Sequence, residues 1–257
     1  MRIIFLRHGD TPATKQGLIQ GSANDWQLNA ATTEGLYKVQ ASAFKIADMI
    51  KDVPADKVFV YSADQTRCIS STGVLASVLS VKHLLNTDNI VYDSRLNGRS
   101  YGNLEGLSES KVKTPSYLLL HPATSLSMAA ATFGMQNYMR IEPKNAYRER
   151  IFDALSEIFM VHNNGEDVVI ISGTSDMFKF LQKDSELHSI CYFGNERPLF
   201  VEGKKVKPIK IETGEFKTFE VDKPYYNAET GRWVPVWETL ATRDYISNGM
   251  NPQKGEN

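Results

Sequence analysis

The sequence predicts a doubly wound α/β domain around a mostly parallel sheet, and three observations predict it. First, short apolar runs at Arg2-Ile3-Ile4-Phe5-Leu6, Lys57-Val58-Phe59-Val60-Tyr61 and Asp167-Val168-Val169-Ile170-Ile171 are bounded by turn signals, as buried parallel strands are. Second, the stretches between them carry apolar residues at helical spacing. Third, the opening run empties directly into Arg7-His8-Gly9-Asp10-Thr11. The carboxyl end of a parallel strand is where an open α/β sheet places its ligands.

Taken in order, Gly17 and Gly21-Ser22-Ala23-Asn24-Asp25 mark a turn-rich crossing after the first loop. Thr33-Glu34-Gly35 opens a helix through Leu36, Val39, Ala43, Ile46, Ala47 and Ile50, and Pro54-Ala55-Asp56 breaks it. After the second strand, Ser62-Ala63-Asp64 caps a helix over Thr66 to Leu79 with Arg67 in its first turn. Ile90-Val91-Tyr92 is a short strand, and Leu96 to Gly102 is a loop of polar and special-φ residues. The pattern weakens from Lys111 to Tyr138, which suggests a lid or insertion over about 107–140. Lys144 to His162 is an amphipathic helix stopped by Asn163-Asn164-Gly165. The third apolar run then delivers Ser172-Gly173-Thr174-Ser175-Asp176 to the same edge as the first loop, with a further helix from Met177 to Gln182. Lys207 to Val221 reads as two strands joined across Thr213-Gly214-Glu215. The main domain is expected over 1–222, with a tail over 223–257 packing on it through Trp233 and Trp237.

Composition narrows the function. With 257 residues, 42% of them hydrophobic, the chain can bury one sizeable core. A formal net charge of -1, with no basic cluster longer than Lys204-Lys205, excludes the electrostatic footprint of a nucleic-acid binder. Cys68 and Cys191 are too few for a disulfide framework or a thiolate metal site, and are expected to be reduced, packed thiols. No apolar run reaches the roughly 20 residues that cross a bilayer, and Arg7-His8 interrupts the first one too early for a signal peptide. A cytoplasmic protein with no membrane, metal or cofactor partner is expected.

Arg7-His8-Gly9 with Thr11 and Gln20-Gly21 resembles the opening motif of the histidine phosphatase superfamily. Val60-Tyr61-Ser62-Ala63-Asp64-Gln65-Thr66-Arg67 is similar to that family's second arginine motif. Leu96-Asn97-Gly98-Arg99-Ser100-Tyr101-Gly102-Asn103-Leu104-Glu105-Gly106 resembles a loop of its phosphoglycerate mutase-like branch, and Ile211 to Gly214 with Phe219 to Val221 its last strand pair. The resemblance implies a three-layer α/β/α sandwich of the phosphoglycerate mutase type. It also implies that His8 is a nucleophile attacking phosphorus, with Arg7 and Arg67 on the phosphoryl oxygens. Gly9, Thr11, Thr14, Gln20, Gly21, Arg99, Tyr101, Ser172, Gly173 and Thr174 are the further candidates for phosphate or substrate contact. Tyr101 reads equally as pocket wall or packing residue.

Departures from the family pattern are informative. The resemblance expects an acid glutamate where this chain has Gly98, and an opposing histidine where it has Ser172. Thr14, Ser100 and Glu109 stand where the mutase branch has an asparagine, a histidine and a lysine. The paired arginines of that branch have no counterpart between Lys111 and Tyr138, so phosphoglycerate mutase activity is not expected. Asp10, Glu142 and Asp176 are the carboxylates available to replace the acid, and Asp176 is also placed to cap a helix. Three functions stay open. The chain is an enzyme acting on a small phosphorylated molecule, a pseudoenzyme binding a phosphorylated ligand or protein, or a catalyst that uses the phosphate pocket as a handle for other chemistry. A homodimer is compatible with each.

Overall fold

In the computed structural model, which describes residues 1–22, 27–112, 140–177, 199–201, 204–206, 211–220, 225–228 and 231–234, the first strand lies inside the sheet. β1 (Arg2–Arg7) is flanked by β4 (Val168–Gly173), parallel, and by β7 (Phe216–Glu220), antiparallel. On the far side of β4 come β2 (Val58–Ser62) and β3 (Ile90–Tyr92), giving the order β3-β2-β4-β1-β7. Pairing runs from Arg2 opposite Val168 to Arg7 opposite Gly173, and Ser62 stands opposite Ser172. That register brings the ends of β1, β2 and β4 to one edge.

Alternation along each strand builds two cores. Ile4, Leu6, Val58, Val60, Val168 and Ile170 face α2 (Thr33–Met49) and α3 (Thr66–Val81), packing on Val39, Ala43, Ile46, Leu75 and Leu79. Ile3, Phe5, Val169 and Ile171 face the opposite way. They pack under Ile151, Leu155, Ile158 and Phe159 of the long helix Lys144–Val161, here α5, the helices before it being α1 (Pro12–Lys15) and α4 (Glu109–Val112). Both faces are therefore covered, and the chain is the expected three-layer α/β/α sandwich. Cys68 is fully buried, and burial pushes its thiol up to about 11, which leaves it inert as a nucleophile. No helix among the described residues is long and apolar enough to cross a membrane.

Sequence and structure differ at the carboxyl-terminal strand pair. Residues 207–210 lie outside the described residues, Ile211 and Glu212 are not strand, and the expected turn follows at Thr213 and Gly214, leaving Phe216–Glu220 as the one strand of the expected pair that is described. The turn forms because its backbone groups are spent on β1. Ile211 O accepts from Arg7 Nη1, and Glu215 O accepts from the Arg7 backbone N–H. Most of the expected lid, at 113–139, Cys191, and residues 178–182 of the expected helix also fall outside the described residues. Of the tail, β8 (Tyr225–Asn227) and β9 (Arg232–Val234) form a hairpin on α5, where Arg232 pairs with Glu149 and Asp153.

Two glycines set the distance between the first loop and α2. A Cβ on Gly35 would lie 2.4 Å from the Asp10 backbone nitrogen, and one on Gly9 would lie 2.6 Å from the Gly35 carbonyl group. Backbone meets backbone there, so neither side can yield by a rotamer change. Gly35→Ala is expected to cost about 1–3 kcal/mol or more as an overpacking strain, measurable as a lower urea midpoint with unchanged slope.

Candidate active site

His8 ends β1 and is 2% exposed. Its backbone N–H donates to Gly173 O at 3.2 Å, which ties it to the end of β4. Its ring Nδ1 lies 2.8 Å from Gly9 O, and because a carbonyl can only accept, Nδ1 carries the proton. Nε2 is then the bare, nucleophilic nitrogen. Burial pushes His8 well below the ordinary histidine range, Arg67 and Arg7 push the same way, and the Gly9 carbonyl and Asp10 oppose them. A neutral imidazole of this kind is what attack on phosphorus requires.

That depression has a consequence for stability. The folded protein binds no proton at His8 in the range just below pH 6.5, whereas the unfolded chain does. Stability rises with pH wherever the unfolded state binds more protons, so this contribution is present above about 6.5 and is lost as pH falls below it, at up to about 1.4 kcal/mol per unit. Urea titrations at pH 7.5, 6.5 and 5.5 should show a steeper acid loss for wild type than for His8→Asn.

The charged groups around His8 carry unused donors. Arg67, in the first turn of α3, is 2% exposed. Its Nη2 donates to Gly21 O at 2.8 Å and to Gln65 Oε1 at 2.9 Å, while Nε and Nη1 are buried without a partner. Arg7 spends Nη1 on Ile211 O, at 2.9 Å, and its Nε is likewise buried without a partner. Ser172 Oγ and Thr174 Oγ1, at the end of β4, are in the same condition. Buried polar groups are normally satisfied, and each orphan costs on the order of 1–3 kcal/mol. Orphans gathered at one strand edge, on two arginines and two hydroxyls, mark a place built for an anion. Burial lowers both guanidinium groups, and neither leaves the charged state at ordinary pH.

The other sequence candidates occupy varied places. The Thr11 hydroxyl accepts from Gln20 Nε2, at 2.6 Å, and from the Thr14 N–H, and lies 2.7 Å from the Thr14 hydroxyl. Thr11, Thr14 and Gln20 thus satisfy one another and cap α1. The Gly9 N–H donates to Ser71 Oγ, and Gly21, at φ +59°, turns its carbonyl onto Arg67 and Gln65. These groups position the arginine and the loop. Arg99 donates from Nε to Glu142 O and lies over the Tyr101 ring, whose hydroxyl donates to Asp176 Oδ2 at 3.2 Å. Gly98 sits in the wall of the pocket. A Cβ there would come within 3.1 Å of Gly21 O and 3.3 Å of both Arg67 Nη2 and the Thr174 methyl.

Two of the three spare carboxylates are engaged elsewhere. Asp10 accepts from Lys38 Nζ at 2.6 Å and from the Thr213 hydroxyl. Burial raises Asp10, but those two partners outweigh it and hold the group below the usual carboxylate range. Glu142 is held by Arg150, with Nε at 2.6 Å on one oxygen and Nη2 at 2.8 Å on the other, and it also takes the Ser100 N–H. Asp176 is the one that turns inward, acting electrostatically on both Arg7 and Arg67. It lies within a short helical turn, with its carboxylate on Tyr101.

Arg150 is the part that sequence reasoning missed. Besides Glu142, Arg150 donates to Arg95 O, Asn97 O and Gly98 O, holding the loop after β3 by three carbonyls. An amphipathic pattern marks Arg150 as a polar helix position and nothing more. Arg150→Met leaves those carbonyls and a largely buried carboxylate short of partners. It is expected to cost about 2 kcal/mol or more, discounted for partial exposure, as read by urea unfolding. The 211–215 turn closes the opposite side, where the Gly214 N–H reaches Arg7 O at 3.1 Å and His8 O at 3.0 Å.

Residues 3–175 match the family model described as the histidine phosphatase superfamily (branch 1). Among curated proteins, none matches the sequence. Several solved structures share the fold. Mycobacterial hydrolase 2 is 15% identical, with 91% of this chain and 88% of that one covered at a TM-score of 0.58. A Bacillus anthracis phosphoglycerate mutase is 18% identical over 77% and 86% at 0.54. A mycobacterial glucosyl-3-phosphoglycerate phosphatase solved with VO3 is 16% identical over 91% and 96% at 0.53.

Proposed function

The chain belongs to the histidine phosphatase superfamily, branch 1, and from that membership we propose that it is a phosphatase that cleaves a small phosphomonoester through a phosphohistidine on His8. The observation that carries this reading is the set of buried, unpartnered donors on Arg7, Arg67, Ser172 and Thr174 beside a neutral imidazole. His8 Nε2 attacks phosphorus as the bond to the leaving oxygen breaks. The arginines and hydroxyls take the charge spread over the three other oxygens. Water then displaces the histidine and releases inorganic phosphate. Loss of any one preorganised donor of this kind typically costs on the order of 10²–10³ in rate.

A second reading, binding of a phosphorylated ligand without turnover, is favoured by one feature. The crowding around Gly98 leaves little room for an acid side chain at that point of the loop. One experiment separates the two. Inorganic phosphate and vanadate should raise the melting temperature under either reading, because each binds the native state alone. Turnover of a phosphoester panel, with an acid-labile phosphoprotein that is absent from His8→Ala, supports the enzyme. Stabilisation with wild type and His8→Ala equally inert would overturn it in favour of the binding protein.

A further inference from the structure

We propose that Asp176 is the proton donor to the leaving group, held in place by Tyr101. The proposal rests on the phosphohistidine reading above. Asp176 follows β4 by three residues, and Tyr101 follows Gly98 by three, so the two loops that border the pocket meet at this hydrogen bond. Thr174, two residues before Asp176, brings its methyl, and Arg67 its Nη2, each 3.3 Å from where a Cβ on Gly98 would lie, so the turn that carries Asp176 adjoins Arg67. Most neighbouring carboxylates have other work, and Glu212, 4.0 Å from Arg7 Nη1, is exposed over half its side chain. Lys38 and Thr213 hold Asp10, Arg150 holds Glu142, and Glu105 accepts from the Ser22 and Tyr101 N–H groups.

Asp176 interacts, among other groups, with the cations Arg7 and Arg67 and the phenols Tyr101 and Tyr147. Burial, reinforced by the Asp176 charge, pushes both phenols up, so each stays protonated and Tyr101 acts as a donor to the carboxylate. Tyr101 is thereby a positioning residue. In the first half-reaction the P–O bond to the leaving group breaks as the Nε2–P bond forms. The electron pair passes to the leaving oxygen, which takes its proton from Asp176 in its carboxyl form, the form that the nearby negative charge of a bound phosphate dianion favours. In the second, the Asp176 carboxylate removes a proton from water as the oxygen attacks phosphorus and the P–N bond breaks. One water is consumed, and the carboxyl group returns protonated.

A positioned general acid contributes typically about 10²–10⁴-fold, and its contribution grows with the basicity of the leaving group. The test measures kcat/KM on glycerol 2-phosphate, whose alkoxide must be protonated, and on p-nitrophenyl phosphate, whose phenolate leaves without a proton. Asp176→Asn should lose about 10²-fold or more on the first and far less on the second. Tyr101→Phe should show the same asymmetry at about 10-fold, which keeps the idea testable if Asp176→Asn folds poorly. Equal losses on both substrates in both variants, or no loss, would overturn the assignment while leaving the phosphohistidine reading intact. Wild type inert on both esters would overturn that reading, and this assignment with it.

Discussion

His8→Ala is expected to remove turnover, by about 10⁴-fold or more, and to remove phosphate labelling of the protein while leaving its fold intact. The fold survives because the histidine's ties to its neighbours are mostly backbone. Its N–H on Gly173 O and its carbonyl on the Gly214 N–H persist in alanine. The ring itself bonds the adjacent Gly9 carbonyl, and burial disfavours its charged form, so it contributes little that the folded state needs. Acid-quenched labelling of wild type and variant, with melting curves alongside, checks both halves. A variant that retained turnover would exclude His8 as the nucleophile.

Arg67→Met is the second large effect, expected at about 10³–10⁵ in kcat/KM, the range for removing an arginine that meets transition-state charge. Methionine fills most of the same volume, and the polar partners it abandons are not orphaned. Gly21 O still accepts from Gln65 Nε2 at 3.1 Å, and Gln65 Oε1 still accepts from the Gly98 N–H at 3.0 Å. The stability cost should therefore stay near about 1 kcal/mol, and relief of two buried, unsatisfied N–H groups offsets part of it. Binding of inorganic phosphate, followed by thermal shift, should fall in parallel with activity. Unchanged activity with weakened phosphate binding would place Arg67 outside the reacting centre.

Much of this arrangement was legible in the residues. Buried parallel strands must be apolar along their length, so Ile3 to Leu6 and Val168 to Ile171 announced the centre of the sheet, and strand ends announced where chemistry would gather. The Arg7-His8-Gly9 triplet starts at the end of β1 and Arg67 opens α3 after β2, so the parallel strands carry both to one edge of the sheet. What stayed hidden depends on contacts between backbone groups distant in sequence. Arg150 serves the loop after β3 through three carbonyls, which have no residue signature. The Thr11 hydroxyl, expected in the pocket, is recruited by Gln20 and Thr14 of its own loop. The turn across Thr213-Gly214-Glu215 was legible, but not that Arg7 claims the Ile211 carbonyl just before it.

The position of β1 between β4 and β7 bears on how the molecule is made. β1 is made well before the strands it pairs with, since Arg7 and the Ile211 carbonyl are 204 residues apart in the chain. At roughly 5–20 residues per second on a ribosome, that wait is on the order of 10–40 s. Until β4 is made this apolar segment has both edges open, and until β7 is made one edge, the condition in which strands pair with the wrong neighbour. Closure of so distant a contact also predicts slow folding relative to chain length. His8, the proposed nucleophile, reaches its final surroundings only when the far end of the sheet arrives, so an interrupted chain carries the motif without the assembled pocket.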